Sequence, residues 1–244
     1  MVKELVENAL DAGASSVSVD VEDGGRQLLR VSDDGHGMDR DDAILALSRH
    51  ATSKIRFAED LVGVGSYGFR GEALPAICSV SRLEVLTAID DGSATFVRAA
   101  AGEVEQVGEG ARRRGTTVSV HQLFFNTPAR RKFLRSARTE WRAIADTLVT
   151  LALTKIGTRF TVTSDGREAL VLAPATSLRA RVASIWGSDY ASRFLDVDGV
   201  QGPIRVAGLV ERPDDVGVAS RRAVMMVNGR AIRDAGVARA VEAA

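Results

Sequence analysis

Lysine is nearly absent from this 244-residue chain: only Lys3, Lys54, Lys132 and Lys155 occur, so most of the 32 cations that balance the 32 acids are arginine. Arginine's planar fork suits phosphate contact. The single cysteine, Cys78, excludes an internal disulfide and fits a reducing compartment; inside the apolar run Leu74 to Val80 it reads as a packed core thiol. No apolar run approaches the roughly 20 residues of a membrane span, and no basic-then-apolar leader opens the chain, so cytoplasm is the expected location. His36, His50 and His121 have no partners at metal-ligand spacing, and no serine or cysteine shows a nucleophile motif. No lysine follows a Gly-x-x-x-x-Gly pattern either, which excludes a P-loop. A bound triphosphate must be held another way.

What is present suffices for one large or two modest domains, with 45% hydrophobic residues for a core. Val2, Leu5, Val6, Ala9 and Leu10 recur at helical spacing and Gly13 follows as a stop, so the chain opens on a helix. Val17, Val19 and Val21 alternate with polar residues, and Asp23-Gly24-Gly25 turns the chain into Leu28 to Val31, a hairpin by its chemistry. Asp39 or Asp41 caps a helix through Ile44, Leu45 and Leu47. Strands follow at Arg82 to Ala88, Thr95 to Ala100, Thr116 to Val120 and Arg159 to Thr163, with a helix over Glu140 to Leu153. Strands clustered between helices predict an α+β fold with a helix layer on one sheet face. Pro174 to Ser177 reads as a linker. Beyond it come a helix over Leu178 to Ile185, strands at Phe194 to Val197, Ile204 to Val210 and Ala223 to Val227, a Pro213-Asp214-Asp215 loop, and a helix starting at Ile232.

Four segments carry chemistry. Glu4, Glu7, Asn8 and Asp11 stand at i, i+3, i+4 and i+7 of the first helix, stacking three carboxylates and an amide on one stripe. Hard metal ions need oxygen ligands and a hydrolytic water needs a carboxylate base, demands that Glu4 and Asn8 can serve; a solvated acidic face has the same pattern. Asp33-Asp34-Gly35-His36-Gly37 follows a strand, where a carboxylate can accept from an exocyclic amine and glycines let a ligand approach, although plain turns share this composition. Gly63 to Gly71 is a glycine loop leading into a helix near Glu72, suited to phosphate oxygens; no clear strand precedes it, so the dinucleotide fold is rejected. Arg112-Arg113-Arg114 with Thr116 and Thr117, and the basic run Arg130, Arg131, Lys132, Arg135, close a pocket, meet a polyanion, or form solvated basic loops.

Taken together, Val2 to Ala14, Asp33-x-Gly35-x-Gly37, Arg49 to Lys54, Gly68-Phe69-Arg70-Gly71-Glu72-Ala73-Leu74 and Asn126-Thr127-Pro128-Ala129-Arg130-Arg131-Lys132-Phe133 resemble the MutL DNA mismatch-repair family, within the GHKL ATPase superfamily. The likeness covers nearly the whole chain and weakens after Leu178. It implies a GHKL-type α/β sandwich, with a mixed, largely antiparallel sheet and a helix layer, over residues 1–176. An incomplete second α/β domain of the ribosomal-protein-like transducer type would occupy 177–244. It implies ATP and Mg²⁺ as ligands, with Glu4 as general base and Asn8 holding Mg²⁺. Asp33, Gly35, Gly37 and Thr116 would surround the adenine, and Thr52, Ser53, Lys54, Gly68, Phe69, Arg70 and Gly71 would form a lid over the triphosphate. Glu7 and Asp11 become supporting or solvated positions. Lid ordering would drive clamp-like self-dimerisation, with non-sequence-specific DNA and a MutS-type mismatch-recognition protein as partners.

The family normally carries a helical segment before the Glu4 motif, and its second domain delivers a lysine to the γ-phosphate; no residue here matches either. Slow or undetectable turnover by this chain is therefore expected, and the alternative function is a non-enzymatic DNA- or protein-binding fragment with an incomplete nucleotide pocket. Asp34 stands where the family often has asparagine, a change expected to be tolerated.

Overall fold

The computed structural model describes residues 1–48, 72–212, 223–232 and 234–243. Two compact units divide the chain: Met1–Leu148 with Thr158–Val171, and Val149–Gly157 with Leu172–Ala244.

The first unit is built on an eight-stranded sheet. In chain order its elements are α1 (Val2–Asp11), β1 (Ser16–Glu22), β2 (Leu28–Asp33), α2 (Arg40–Leu45), α3 (Ala73–Cys78), β3 (Arg82–Ala88), β4 (Gly92–Ala100), β5 (Glu103–Arg112), β6 (Gly115–His121), α4 (Pro128–Arg131), α5 (Ala137–Thr154), β7 (Arg159–Ser164) and β8 (Arg167–Leu172). The strand order is β5-β4-β3-β6-β2-β1-β7-β8. Every pairing from β5 to β1 is antiparallel, while β1 and β7 run parallel. The expected α+β architecture with a mixed, largely antiparallel sheet is what the chain adopts.

Alternation decides the two faces. Val17, Val19, Val21, Val31, Leu83, Val85, Val97, Phe160 and Val162 are buried in phase, and α1 and α3 pack against β2 and β3. In the opposite phase lies a cross-strand polar ladder: Thr163, Asp20, Arg30, Ser119, Glu84, Arg98 and Gln106 sit in register across seven strands. Neighbours along it are bonded, as in Thr163 to Asp20 (2.6 Å), Arg30 to Ser119 (3.2 Å) and Arg98 to Glu84 (2.9 Å). The Asp23-Gly24-Gly25 turn tightens into a single 3₁₀ turn, and Asp39 caps α2 by accepting from the Asp42 amide at 2.8 Å. Two strands of this unit escaped the sequence reading, β5 and β8. In β5 the apolar residues Val104, Val107 and Ala111 are all at least partly exposed, and in β8 Ala169 to Leu172 run together with only Leu172 buried, so neither outer strand shows the alternation of an inner one.

The second unit contains α6 (Leu178–Trp186), α7 (Ser188–Ala191), the hairpin β9 (Phe194–Gln201) with β10 (Ile204–Glu211), the hairpin β11 (Met225–Val227) with β12 (Arg230–Ile232), and α8 (Ala235–Ala243). Leu153, Val182 and Ala191 form its core, with Val149, Leu178, Ile185, Tyr190, Leu209 and Met226 packed around them. Trp186, Tyr190 and Phe194 stack edge to face at 5.7 and 5.2 Å. The helix expected from Ile232 is corrected here. Asn228 and Gly229 both take positive φ, the two-residue turn that closes a hairpin, so Arg230–Ile232 pairs as a strand and the helix begins at Ala235. The Pro213-Asp214-Asp215 loop lies outside the described residues.

Candidate nucleotide site

Helix α1 presents its apolar stripe inward, with Leu5, Val6, Ala9 and Leu10 buried. It ends in a Schellman arrangement: the Gly13 amide donates to the Leu10 carbonyl at 3.1 Å and the Ala14 amide to the Ala9 carbonyl at 3.2 Å. Glu4 and Asn8 stand one turn apart on the half-buried flank. Glu7 departs from the solvated role allowed for it. It is 5% exposed, and its carboxylate accepts from Lys3 Nζ at 2.9 Å. Burial raises its pKa above the ordinary glutamate value, and the Lys3 bond pulls it part of the way back.

The loop after β2 rests on the end of that helix. The His36 amide donates to the Ala12 carbonyl at 3.0 Å, and a Cβ on Gly35 would stand 2.7 Å from the Ala12 methyl. Gly37 takes φ +71, and a Cβ there would overlap the Ala88 carbonyl, so the loop after β2 approaches the end of β3 only because the residue is glycine. Asp33, the last residue of β2, has one carboxylate oxygen fixed: Oδ1 accepts from the Gly35 amide at 2.8 Å and the Thr116 amide at 3.3 Å. Among the described residues Oδ2 makes no hydrogen bond, which leaves an acceptor of defined direction. Burial lifts the Asp33 pKa; the two amides and the charge of Arg112 oppose that, with burial prevailing. Asp34 serves a different end. Its Oδ1 accepts from the Ser15 and Ser16 amides at 2.8 and 2.9 Å, and its Oδ2 from the Ser15 hydroxyl, pinning the corner between α1 and β1.

The structure thus brings together Asp33, Gly35, Gly37 and Thr116, and anchors the helix of Glu4 and Asn8 to the same loop. Thr52, Ser53, Lys54, Gly68, Phe69, Arg70 and Gly71 lie outside the described residues. Two contributors escaped the sequence reading. Thr87, fully buried, accepts from the Met38 amide at 2.8 Å and meets the Thr116 hydroxyl at 3.0 Å. Its signal was a hydroxyl in phase with the core residues Leu83 and Val85. Arg112, read within a basic run, instead turns inward onto β2. Arg130, Arg131 and Lys132 are exposed and make no ion pair among the described residues, whereas Arg135 is bound to Glu140 at 3.0 Å. One cavity is lined by Glu22, Glu84, Arg98 and His121, another by Arg26, Gln122, Phe125 and Arg131; both lie at the strand ends opposite Asp33 and Thr116. Among the described residues no group of three His, Cys, Asp or Glu can hold a metal ion. Asn8 supplies a single amide oxygen, which suits an ion held mostly by phosphate and water oxygens.

Residues 1–125 match the family model described as histidine kinase-, DNA gyrase B- and HSP90-like ATPase. The chain is 61% identical over 244 residues to the DNA mismatch repair protein MutL of Gemmatimonas aurantiaca, covering 100% of this chain and 40% of that protein. It is 51% identical over 242 residues to MutL of an Anaeromyxobacter species, covering 99% and 40%. The chain therefore spans about 40% of the length of the curated relatives it matches. Among solved structures, the Aquifex aeolicus MutL ATPase domain complexed with ADP aligns at TM-score 0.77 and 28% identity, over 99% of this chain and 85% of that one. The N-terminal domain of a DNA repair protein aligns at TM-score 0.82 and 26% identity, over 98% and 75%.

Proposed function

Because the chain belongs to the family of histidine kinase-, DNA gyrase B- and HSP90-like ATPases, we propose that it is the ATP-binding and ATP-hydrolysing part of a MutL-type DNA mismatch-repair protein. The observation that carries this reading is Asp33, held by the Gly35 and Thr116 amides with one oxygen to spare, on a loop bonded to the end of the helix bearing Glu4 and Asn8. Asp33 accepts from the adenine amine. Glu4 takes the proton of the water that attacks the γ-phosphate, a general-base role suited to a carboxylate one turn from the Asn8 amide. Asn8 supplies one oxygen to Mg²⁺, which when bound neutralises phosphate charge. Residues 52–54 and 68–71 close over the triphosphate and couple nucleotide binding to self-dimerisation. Residues 1–176 form the ATPase domain and 177–244 part of a transducer-type domain. DNA meets the exposed Arg130, Arg131 and Lys132 without sequence preference, a MutS-type protein is a further partner, and the cytoplasm is the location.

The test is nucleotide affinity with and without Mg²⁺ for the chain, Glu4→Ala and Asp33→Asn. Asp33→Asn is expected to weaken ATP at least roughly tenfold by losing a charge-assisted bond. Glu4→Ala is expected to spare binding while stopping turnover in a protein spanning the whole ATPase region. Equal weak binding by all three chains overturns the reading.

A further inference from the structure

We propose that Arg112 is a positioning residue for the Asp33 carboxylate and thereby sets adenine preference, a role that rests on the nucleotide site proposed above. Arg112 ends the outer strand β5, yet its side chain crosses to three other strands. Nη2 donates to the Asp33 carbonyl on β2 at 2.8 Å, and Nη1 donates to the Leu86 carbonyl on β3 at 2.8 Å and to Thr117 Oγ1 on β6 at 3.0 Å. Nε donates to the Arg113 carbonyl at 2.8 Å.

The need for this clamp follows from the register. The β2–β6 ladder stops at Ser32 and Thr117, whose hydroxyls pair at 2.7 Å. Past that rung the Thr116 amide turns to the Asp33 carboxylate, and the Asp33 carbonyl is taken by Arg112 instead. The guanidinium therefore ties the last rung to the residue beyond it. Lysine, a point donor, cannot bridge these four oxygens. The cation also faces a carboxylate that burial and the neighbouring Asp34 discourage from ionising. Arg114, whose Nε donates to the Gly35 carbonyl at 3.2 Å, is the other cation at the loop; His36 is exposed, with its ring Nδ1 on the Gly37 carbonyl at 2.7 Å. An ionised Asp33 offers Oδ2 as a full charge-assisted acceptor for an amine, whereas a proton on Oδ2 makes it a donor and leaves only weaker acceptor capacity. Arg112 thus fixes both the direction of the acceptor and the pH range in which it works.

Titrations of ATP and GTP into the full chain, run from acid to neutral pH, test this with Arg112→Gln, Arg112→Lys and Asp33→Asn beside the parent. Arg112→Gln is expected to weaken ATP roughly tenfold, to narrow the preference for ATP over GTP, and to raise the pH at which ATP binding is half lost. Arg112→Lys, which keeps the charge and is the milder change for folding, is expected to keep that midpoint while losing affinity. Parent-like affinity, preference and midpoint in Arg112→Gln overturn the proposal. So does a uniform loss with preference and midpoint unchanged, the mark of general loosening. If Asp33→Asn loses ATP while Arg112→Gln does not, the Arg112 role alone falls. If the parent and Asp33→Asn bind alike, the nucleotide site falls and takes the Arg112 role with it.

Discussion

Glu7 and Asp33 are two carboxyl groups that burial makes reluctant to ionise, and they face different consequences. Asp33 sits where an acceptor is wanted, so its discomfort is offset by two amides and a guanidinium. Glu7 points into the core side of α1 with Lys3 as its bonded partner. The folded chain holds the Glu7 proton more tightly than the unfolded chain does. This contribution is therefore fully present below the unfolded pKa and lost as pH rises through the raised folded value. Glu7→Gln keeps the shape without the charge. Its melting temperature is expected to match or exceed the parent's by up to about 3 °C at neutral pH, equivalent to roughly 1 kcal/mol, with the gain vanishing in acid. A clear drop at neutral pH would show that the Lys3 pair outweighs the burial of the charge.

At the scale of elements, caps and turns did most to make the fold readable. The Gly13 stop, the Asp23-Gly24-Gly25 turn and the Asp39 cap are local devices whose residues specify their geometry wherever they fold. Ser177 is another: its hydroxyl accepts from the Ala180 amide at 3.1 Å and starts α6. Ser177→Ala is expected to cost about 1 kcal/mol of stability, read by denaturant unfolding of the second unit, and an unchanged midpoint would deny the cap its role. The outer strands β5 and β8 were not readable this way. A strand paired on one side has less need of apolar alternation, and each of these two pairs only with the strand just before it in the chain, β4 and β7. The segment after Asn228-Gly229 shows the reverse case, since a helix-like composition at Ile232 yielded to the hairpin that the turn dictates.

At the scale of the molecule, a ligand that binds the folded state alone must stabilise it. With ATP at about 100 times its dissociation constant the gain is roughly 2.7 kcal/mol, so the first unfolding transition of the chain is expected to move up by several degrees, and Asp33→Asn to cancel the shift. A melting curve indifferent to ATP at every concentration would contradict nucleotide binding.

The sequence by itself determined the helix that carries Glu4 and Asn8, the strand that ends at Asp33, the glycines beside it and the α+β class, because each follows from spacing and turn chemistry over a few residues. The family likeness rested on those short strings together with Arg49 to Lys54, Gly68 to Leu74 and Asn126 to Phe133. Only the tertiary structure decided what surrounds Asp33. Arg112 lies 79 positions away in the chain and Thr116 lies 83 away, and they reach Asp33 because β2, β3 and β6 are adjacent in the sheet. It also decided that Glu7 is buried while Glu4 is only half covered, although both share a helix stripe. Helical spacing fixes which residues lie on a common face, and the packing of α1 against β2 fixes how far around that face the core extends.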